Sequence, residues 1–406
     1  MRGDGSNSSV DGKREPMKVA GLFAGIGGIE LGLSRAGHEP TLLCDIDPTA
    51  MAVLRDRFDP ALVFADANGI GDVKNLGALP GETTLLTAGF PCQDLSQAGR
   101  TRGIRGSRSG LVGEVFRLLD RSRTPWVLIE NVPFMLHLAG GEALAVIIAA
   151  IEDLGYRWAY RVVDSRSFGL PQRRRRVYLV ATNEGDPRSV LFADEAGPQA
   201  EPSKLIWREA ACGFYWTEGN RGLGWTYDAI PTLKAGSGFG IPSAPAIVLP
   251  RGDDGSRIGT PSIQDAERFQ GFNADWTAAA IGVEGKGARW RLVGNSVTVD
   301  AAEWIGKRLR SPGGYDDSLD LDLRRIGRWP LACYNVGDGP KVAVGVSEWP
   351  VLNVREPLED FLKYQIRPLS LRAAEGFFNR FSNSTLRKPE GFLNLVARHI
   401  EVMRKS

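Results

Sequence analysis

Lys18 to Phe23 is a short apolar run, and Ala24-Gly25-Ile26-Gly27-Gly28 follows it directly, leading into apolar residues at helical spacing, Ile29, Leu31, Leu33 and Ala36. A buried strand, a glycine turn and an amphipathic helix are the start of a βαβ unit, whose next strand returns parallel to the first. The chain is thereby committed to a largely parallel sheet with helices on both faces. Glycines also serve plain tight turns, so the loop alone is weak evidence of a ligand. The following strand, Thr41 to Cys44, ends in Asp45-Ile46-Asp47, about twenty residues past the glycines, where an acid grips a ribose hydroxyl. A third predicted strand, Ala61 to Phe64, ends in Ala65-Asp66-Ala67, a carboxylate suited to an adenine amino group. Three successive strand ends carry nucleotide-binding residue types.

The next apolar run, Thr83 to Ala88, enters Gly89-Phe90-Pro91-Cys92-Gln93-Asp94-Leu95-Ser96. A lone cysteine is more often an ordinary core residue. Here Pro91 fixes the turn, the residues after Cys92 are polar, and Arg100, Arg102, Arg105 and Arg108 follow in a Gly- and Ser-rich loop. Nearby cationic charge favours thiolate, so Cys92 reads as a nucleophile at the carboxyl edge of the sheet. Leu111 opens a helix, after which the strand Trp126 to Ile129 ends in Glu130-Asn131-Val132. An isolated Glu there would be a helix cap or an ion-pair partner; beside a nucleophile at the neighbouring strand end it becomes a candidate acid. Further on, Gln172-Arg173-Arg174-Arg175-Arg176 precedes an apolar strand, and alternation along a strand puts Gln172, Arg174 and Arg176 on one face.

Taken together and in this order, these segments resemble the motifs of the DNA cytosine C5-methyltransferases of the bacterial and phage restriction-modification type. The resemblance spans about residues 18 to 309. It implies an α/β fold: a Rossmann-like class I S-adenosylmethionine-dependent methyltransferase sheet with helices on both faces, plus a smaller loop- and strand-rich target-recognition domain. It places S-adenosylmethionine, and the product S-adenosylhomocysteine, against Phe23, Gly25, Gly27, Gly28, Asp45, Ile46, Asp66, Ala67, Phe90, Pro91, Leu111, Asn295 and Val297. Asp45 stands where the family usually has Glu. Cys92 would attack C6 of a flipped cytosine, Glu130 would hold and protonate N3, Arg174 would reach O2 with Gln172 beside it, and Arg176 would brace the carboxylates. Ser96 and the arginines at 100, 102, 105 and 108 would contact DNA as their loop closes, and Thr232 and Leu233 would lie near the flipped base.

The expected division is a disordered leader over 1–16, a catalytic domain over 17–183, a target-recognition domain over 184–259 rich in Gly, Pro and Trp, a return segment over 260–310, and an α+β extension over 311–406 of packing or interaction type, with extra DNA contact as the alternative. Ser262 looks like the cap of a helix opening at Ile263, and 369–405 reads as basic amphipathic helices. A formal net charge of only +2 makes any nucleic-acid surface local. Four cysteines without paired spacing and three scattered histidines indicate neither disulfides nor a metal, and no stretch approaches a membrane span. Duplex DNA is the expected partner of a cytoplasmic monomer, with a cognate restriction endonuclease acting separately. The competing readings are an RNA (tRNA) cytosine C5-methyltransferase, a catalytically idle DNA binder, and a nicotinamide-dependent oxidoreductase that would leave Cys92, Glu130, Gln172 and Arg174 without a role.

Overall fold

All of Trp126–Asn131 is buried, as a strand covered on both faces requires, and this strand lies at the middle of the fold. The protein, described by a computed structural model, is seen over residues 13–91, 110–200, 207–220, 222–236, 244–253, 255–285, 287–323, 328–337 and 339–405. Its first layer is a nine-stranded sheet. In chain order the early elements are β1 (Lys18–Leu22), α1 (Gly28–Arg35), β2 (Glu39–Cys44), α2 (Pro48–Arg57), β3 (Leu85–Ala88), α3 (Leu111–Ser122), β4 (Trp126–Asn131) and α4 (Glu142–Asp153). Then come β5 (Arg157–Asp164), β6 (Gln172–Arg173) and β7 (Arg175–Thr182). β2, β1, β3 and β4 run parallel side by side, β7 runs antiparallel to them, and β5, antiparallel to β7, runs in their direction again.

One face of the sheet buries Val115 and Leu118 of α3 with Ile147 and Ile148 of α4, and the other buries Ile29 and Leu33 of α1. Each such side chain stabilises the fold by about 1.5–3 kcal/mol. α7 (Val299–Arg310) lies on that second face, adding Trp304 and Ile305. The predicted strand over 61–64 does not form. Asp59 and Pro60 instead set a 3-10 turn over Pro60–Leu62, and only Val63 bridges to Leu43 at the sheet edge. The end of the leader is tied down: the Arg14 N–H donates to the Arg310 carbonyl and its guanidinium lies 4.7 Å over the Trp126 ring.

The second layer is an antiparallel sheet of β8 (Cys212–Phe214), β9 (Thr226–Tyr227), β11 (Ala246–Val248) and β12 (Ile258–Thr260), with β16 (Arg367–Pro368) on its edge. β10 (Ile230–Pro231) belongs to neither large sheet and pairs in parallel with β6 as a separate two-stranded sheet. α5 (Ile263–Arg268), capped by the Ser262 hydroxyl accepting the Asp265 N–H at 2.9 Å, and α6 (Gly287–Asn295) then return the chain to the large sheet.

Residues 311–406 are no separate appendage. β13 (Asp320–Leu321), β14 (Ala332–Asn335) and β15 (Val342–Val344) extend the nine-stranded sheet beyond β5. α8 (Leu371–Ser382) and α9 (Phe392–Met403) instead cover the five-stranded sheet, with Phe214 packed 5.1 Å from Phe377 and 5.3 Å from Phe392 between ring centroids. The physical reason is burial: β14 pairs the edge of β5, and the apolar face of the small sheet packs against Phe377, Phe381 and Phe392. Phe377 points fully inward, and its neighbour Phe378 is partly buried.

Candidate active site

The carboxyl ends of β1, β2, β3 and β4 open onto a cavity of about 870 Å³. Ten of the thirteen cofactor positions expected from the sequence line it: Phe23, Gly25, Gly28, Asp45, Ile46, Phe90, Pro91, Leu111, Asn295 and Val297. Gly25 sits at φ +56°, and a Cβ there would meet nothing within 4 Å, so the missing side chain leaves a cradle facing the cavity. Phe23 holds a left-handed φ of +55° beside it, a strained conformation of the kind that collects at binding sites. Ile46 keeps 56% of its surface exposed and gives the cavity an apolar wall.

Three expected positions lie elsewhere. Gly27 is in left-handed conformation ahead of α1, and its missing Cβ makes room for the Phe58 ring, 2.3 Å from where that atom would be. Ala67 is exposed in the loop beyond, and Asp66 closes that loop: its carboxylate accepts the N–H groups of Asn68 and Ile70 at 2.9 and 3.0 Å and the Asn75 amide at 2.6 Å. Asp72 takes the place at the cavity, together with Gly71, Val73 and Lys74. The sequence signal for it was Gly71, whose missing Cβ lets this segment approach the Asp45 carbonyl, 2.1 Å from the position a Cβ would take. Asp45 reaches the cavity with both oxygens already engaged, one by the Gly25 N–H at 2.7 Å and one by the Asp47 N–H at 2.9 Å. Burial raises its pKa, and the two backbone donors oppose that. Each oxygen keeps a second lone pair.

At the other end of the cavity stand Glu130 and Arg176, with Arg176 Nε 3.0 Å from Glu130 Oε1. Burial raises the Glu130 pKa, while Arg176 and then Arg174 pull it back. A carboxyl held above its ordinary range is disposed to donate a proton. Asn131, to which sequence reasoning gave no role, fixes the turn beside it by donating from its side-chain amide to the Phe90 carbonyl at 3.1 Å. Pro91 lines the cavity and leads toward position 92. Cys92, Ser96, Arg100, Arg102, Arg105 and Arg108 lie outside the described residues.

The alternation across β6 and β7 has a different outcome from one position to the next. Gln172 and Arg174 are fully buried and do not line the cavity. The Gln172 amide donates to the Phe269 carbonyl at 2.8 Å and to Gln270 at 3.2 Å, and its oxygen accepts the Leu233 N–H at 2.9 Å. Arg174 donates to the carbonyls of Leu233, Gly294 and Ser296. Its Nε is a buried donor with no partner among the described residues, and burial lowers its pKa. Both side chains therefore clamp the recognition segment to the return segment. Thr232 and Leu233 are also turned to the fold, Thr232 by donating to the Arg173 carbonyl at 2.8 Å and Leu233 by burial. Gly294 makes the joint possible, since a Cβ there would fall 2.2 Å from the Lys234 carbonyl carbon.

Across the cavity mouth, Arg291 of α6 pairs with Asp47 and with Glu284. Burial would raise the Asp47 pKa, but hydrogen bonds from Thr49 and Arg291 outweigh it and lower the value. Among the described residues no group of His, Cys, Asp and Glu is arranged to hold a metal, and no helix is long and apolar enough to cross a membrane.

Residues 17–208 match the family described as C-5 cytosine-specific DNA methylase. Type II methyltransferase M2.BsuMI of Bacillus subtilis (strain 168) is 45% identical over 94% of this chain and 98% of its own length. Type II methyltransferase M.DsaV of Dactylococcopsis salina is 25% identical over 74% of this chain and 87% of its own. Among solved structures, the Dnmt2 methyltransferase of S. pombe superposes with a TM-score of 0.51 at 17% identity, covering 73% of this chain and 98% of that one, which is a likeness of fold.

Proposed function

The chain belongs to the C-5 cytosine-specific DNA methylase family and is a DNA cytosine-5 methyltransferase, and from that premise we propose that it acts through a covalent Cys92–C6 adduct with S-adenosylmethionine as methyl source. The observation that carries the proposal is one continuous cavity with a nucleotide-shaped cradle at one end and the Glu130–Arg176 pair, beside the turn into Cys92, at the other. The cradle at Gly25, the apolar wall of Ile46 and the free lone pairs of Asp45 and Asp72 suit an adenosine moiety, and Asn295 and Val297 line the same cavity. When bound there, S-adenosylmethionine supplies an electrophilic methyl group to C5.

Carbon 5 of cytosine is a poor nucleophile until C6 is saturated. Cys92 thiolate adds to C6, forming the C–S bond and moving the C5–C6 π pair toward C5, while Glu130 delivers its proton to N3. After methylation, loss of the C5 proton and expulsion of the thiolate restore the ring. Arg176 holds Glu130 in place and tempers its pKa, and Gln172 and Arg174 position the Thr232–Leu233 segment. None of this is possible inside the stack, so the cytosine is extruded, at a cost of a few kcal/mol.

No observation favours an RNA substrate or an idle binder. By analogy with its Type II relatives, the enzyme protects a specific duplex sequence alongside a separate restriction endonuclease, as a cytoplasmic monomer. Duplex DNA carrying 5-fluorocytosine tests the adduct, because fluorine at C5 blocks the final elimination. A denaturation-resistant complex that needs S-adenosylmethionine and maps to Cys92 is expected; its absence with bound DNA sinks the covalent step.

A further inference from the structure

A second cavity, of about 750 Å³, lies between three parts of the chain that sequence order keeps far apart. Trp216, just past the end of β8, forms one wall, and Trp290 of α6 forms another. The third comes from the C-terminal segment and includes Gln365, Arg367 of β16 and Ser370. Its place in the fold is informative. Trp216 follows Tyr215, whose hydroxyl donates to the Thr232 carbonyl at 2.8 Å, and Trp290 lies one helical turn before Gly294, which lines the first cavity. Two walls of the second cavity are thus tied, through Tyr215 and α6, to segments that reach the first cavity.

Its chemistry has two halves. Both indoles are partly exposed, and the Trp216 N–H is fixed on the Ala244 carbonyl at 2.9 Å, so the ring is held for stacking. Opposite the aromatic wall the cavity is cationic: Arg367 is exposed with no ion-pair partner among the described residues, and Ser370 begins α8 without any side chain capping the helix N-terminus. No Asp or Glu is among the described lining residues. An aromatic surface next to an uncompensated positive edge matches a base joined to a phosphate.

Given that duplex DNA is the substrate, we propose that this cavity holds one nucleotide of that DNA other than the target cytosine, its base against Trp216 and Trp290 and its phosphate at Arg367 and the start of α8. The C-terminal segment thereby completes the DNA-binding surface, and an interaction limited to protein packing is not its whole role. Gln264 and Gln365 offer amide edges that discriminate among bases.

The test uses the full chain and duplexes with 5-fluorocytosine at the target and 5-iodouracil at successive flanking positions. On irradiation, one flanking position is expected to crosslink to the peptide containing Trp216 or Trp290 while the Cys92 adduct forms. R367A should weaken duplex binding severalfold and reduce the slope of log affinity against log salt by about one. An adduct at Cys92 with no crosslink to either tryptophan, and an unchanged salt slope in R367A, overturns the nucleotide site and leaves the catalytic reading standing. Crosslinks to a tryptophan without the adduct support the site and strike only the covalent mechanism.

Discussion

The cofactor cavity and the recognition layer are built on opposite principles. The cavity is assembled from neighbours in sequence: each strand between 18 and 131 ends at it, and each turn there is shaped by a glycine or a capped acid. The second layer draws β8, β9, β11 and β12 from residues 212–260, its edge strand from 367–368 and its helices from 371–403, and is held by an aromatic cluster around Phe214. Local turns fix atomic positions for chemistry, whereas the second layer depends on a core joined from distant segments.

The contrast predicts that damage on one side leaves the other intact. Glu130→Gln should lower the methylation rate by about 10²–10⁴-fold, the range for a lost general acid, with S-adenosylmethionine binding by calorimetry retained. A variant that stays active would remove Glu130 from the proton path. Phe377→Ala empties the centre of the aromatic cluster and should cost about 3–5 kcal/mol in denaturant titration. Duplex binding should fail before cofactor binding does; simultaneous loss would mean that the two layers unfold as a single unit.

Finer tests separate the two acids of the adenine end. Asp72→Ala should weaken S-adenosylmethionine binding about tenfold, as expected for a lost hydrogen bond to a charged group. Asp66→Ala should spare cofactor affinity and cost about 1 kcal/mol of stability through the loop it closes. The reverse pattern would restore the assignment made from sequence.

The smallest effect concerns Glu30, buried under the sheet against Gly21 and accepting the Thr87 hydroxyl at 2.8 Å. Burial pushes its pKa up from 4.5 to about 7. Because the unfolded chain ionises first, the stability carried by the protonated carboxyl is complete below 4.5 and is lost as pH rises through about 7. The melting temperature should therefore drop between pH 5 and pH 8 by more in the wild type than in Glu30→Gln, and equal drops would contradict that assignment.

Legibility in the sequence follows the same divide. Strand–turn–helix units carry their own periodicity, so β1, α1, β2 and the Glu130 strand end could be read directly, and ten of the expected cofactor positions line the cavity onto which those strands open. Asp66 misled because the apolar run before it, 61–64, imitates a strand, while Asp72 follows no apolar run at all and is delivered by the close approach of Gly71 to β2. Strand alternation placed Gln172 and Arg174 on one face, yet depth along that face separates them from Arg176: the first two meet the return segment and only the third meets Glu130. The division of residues 311–406 between two layers was invisible, because β14 and β16 are defined by partners more than a hundred residues away.

Transfer of labelled methyl from S-adenosylmethionine to mixed-sequence duplex DNA, with wild type and Cys92→Ser side by side and RNA as a parallel substrate, tests the central claim most directly. Label at C5 of cytosine in DNA, absent in the variant and absent from RNA, is the predicted result. Label retained by Cys92→Ser, or found in RNA alone, would contradict it.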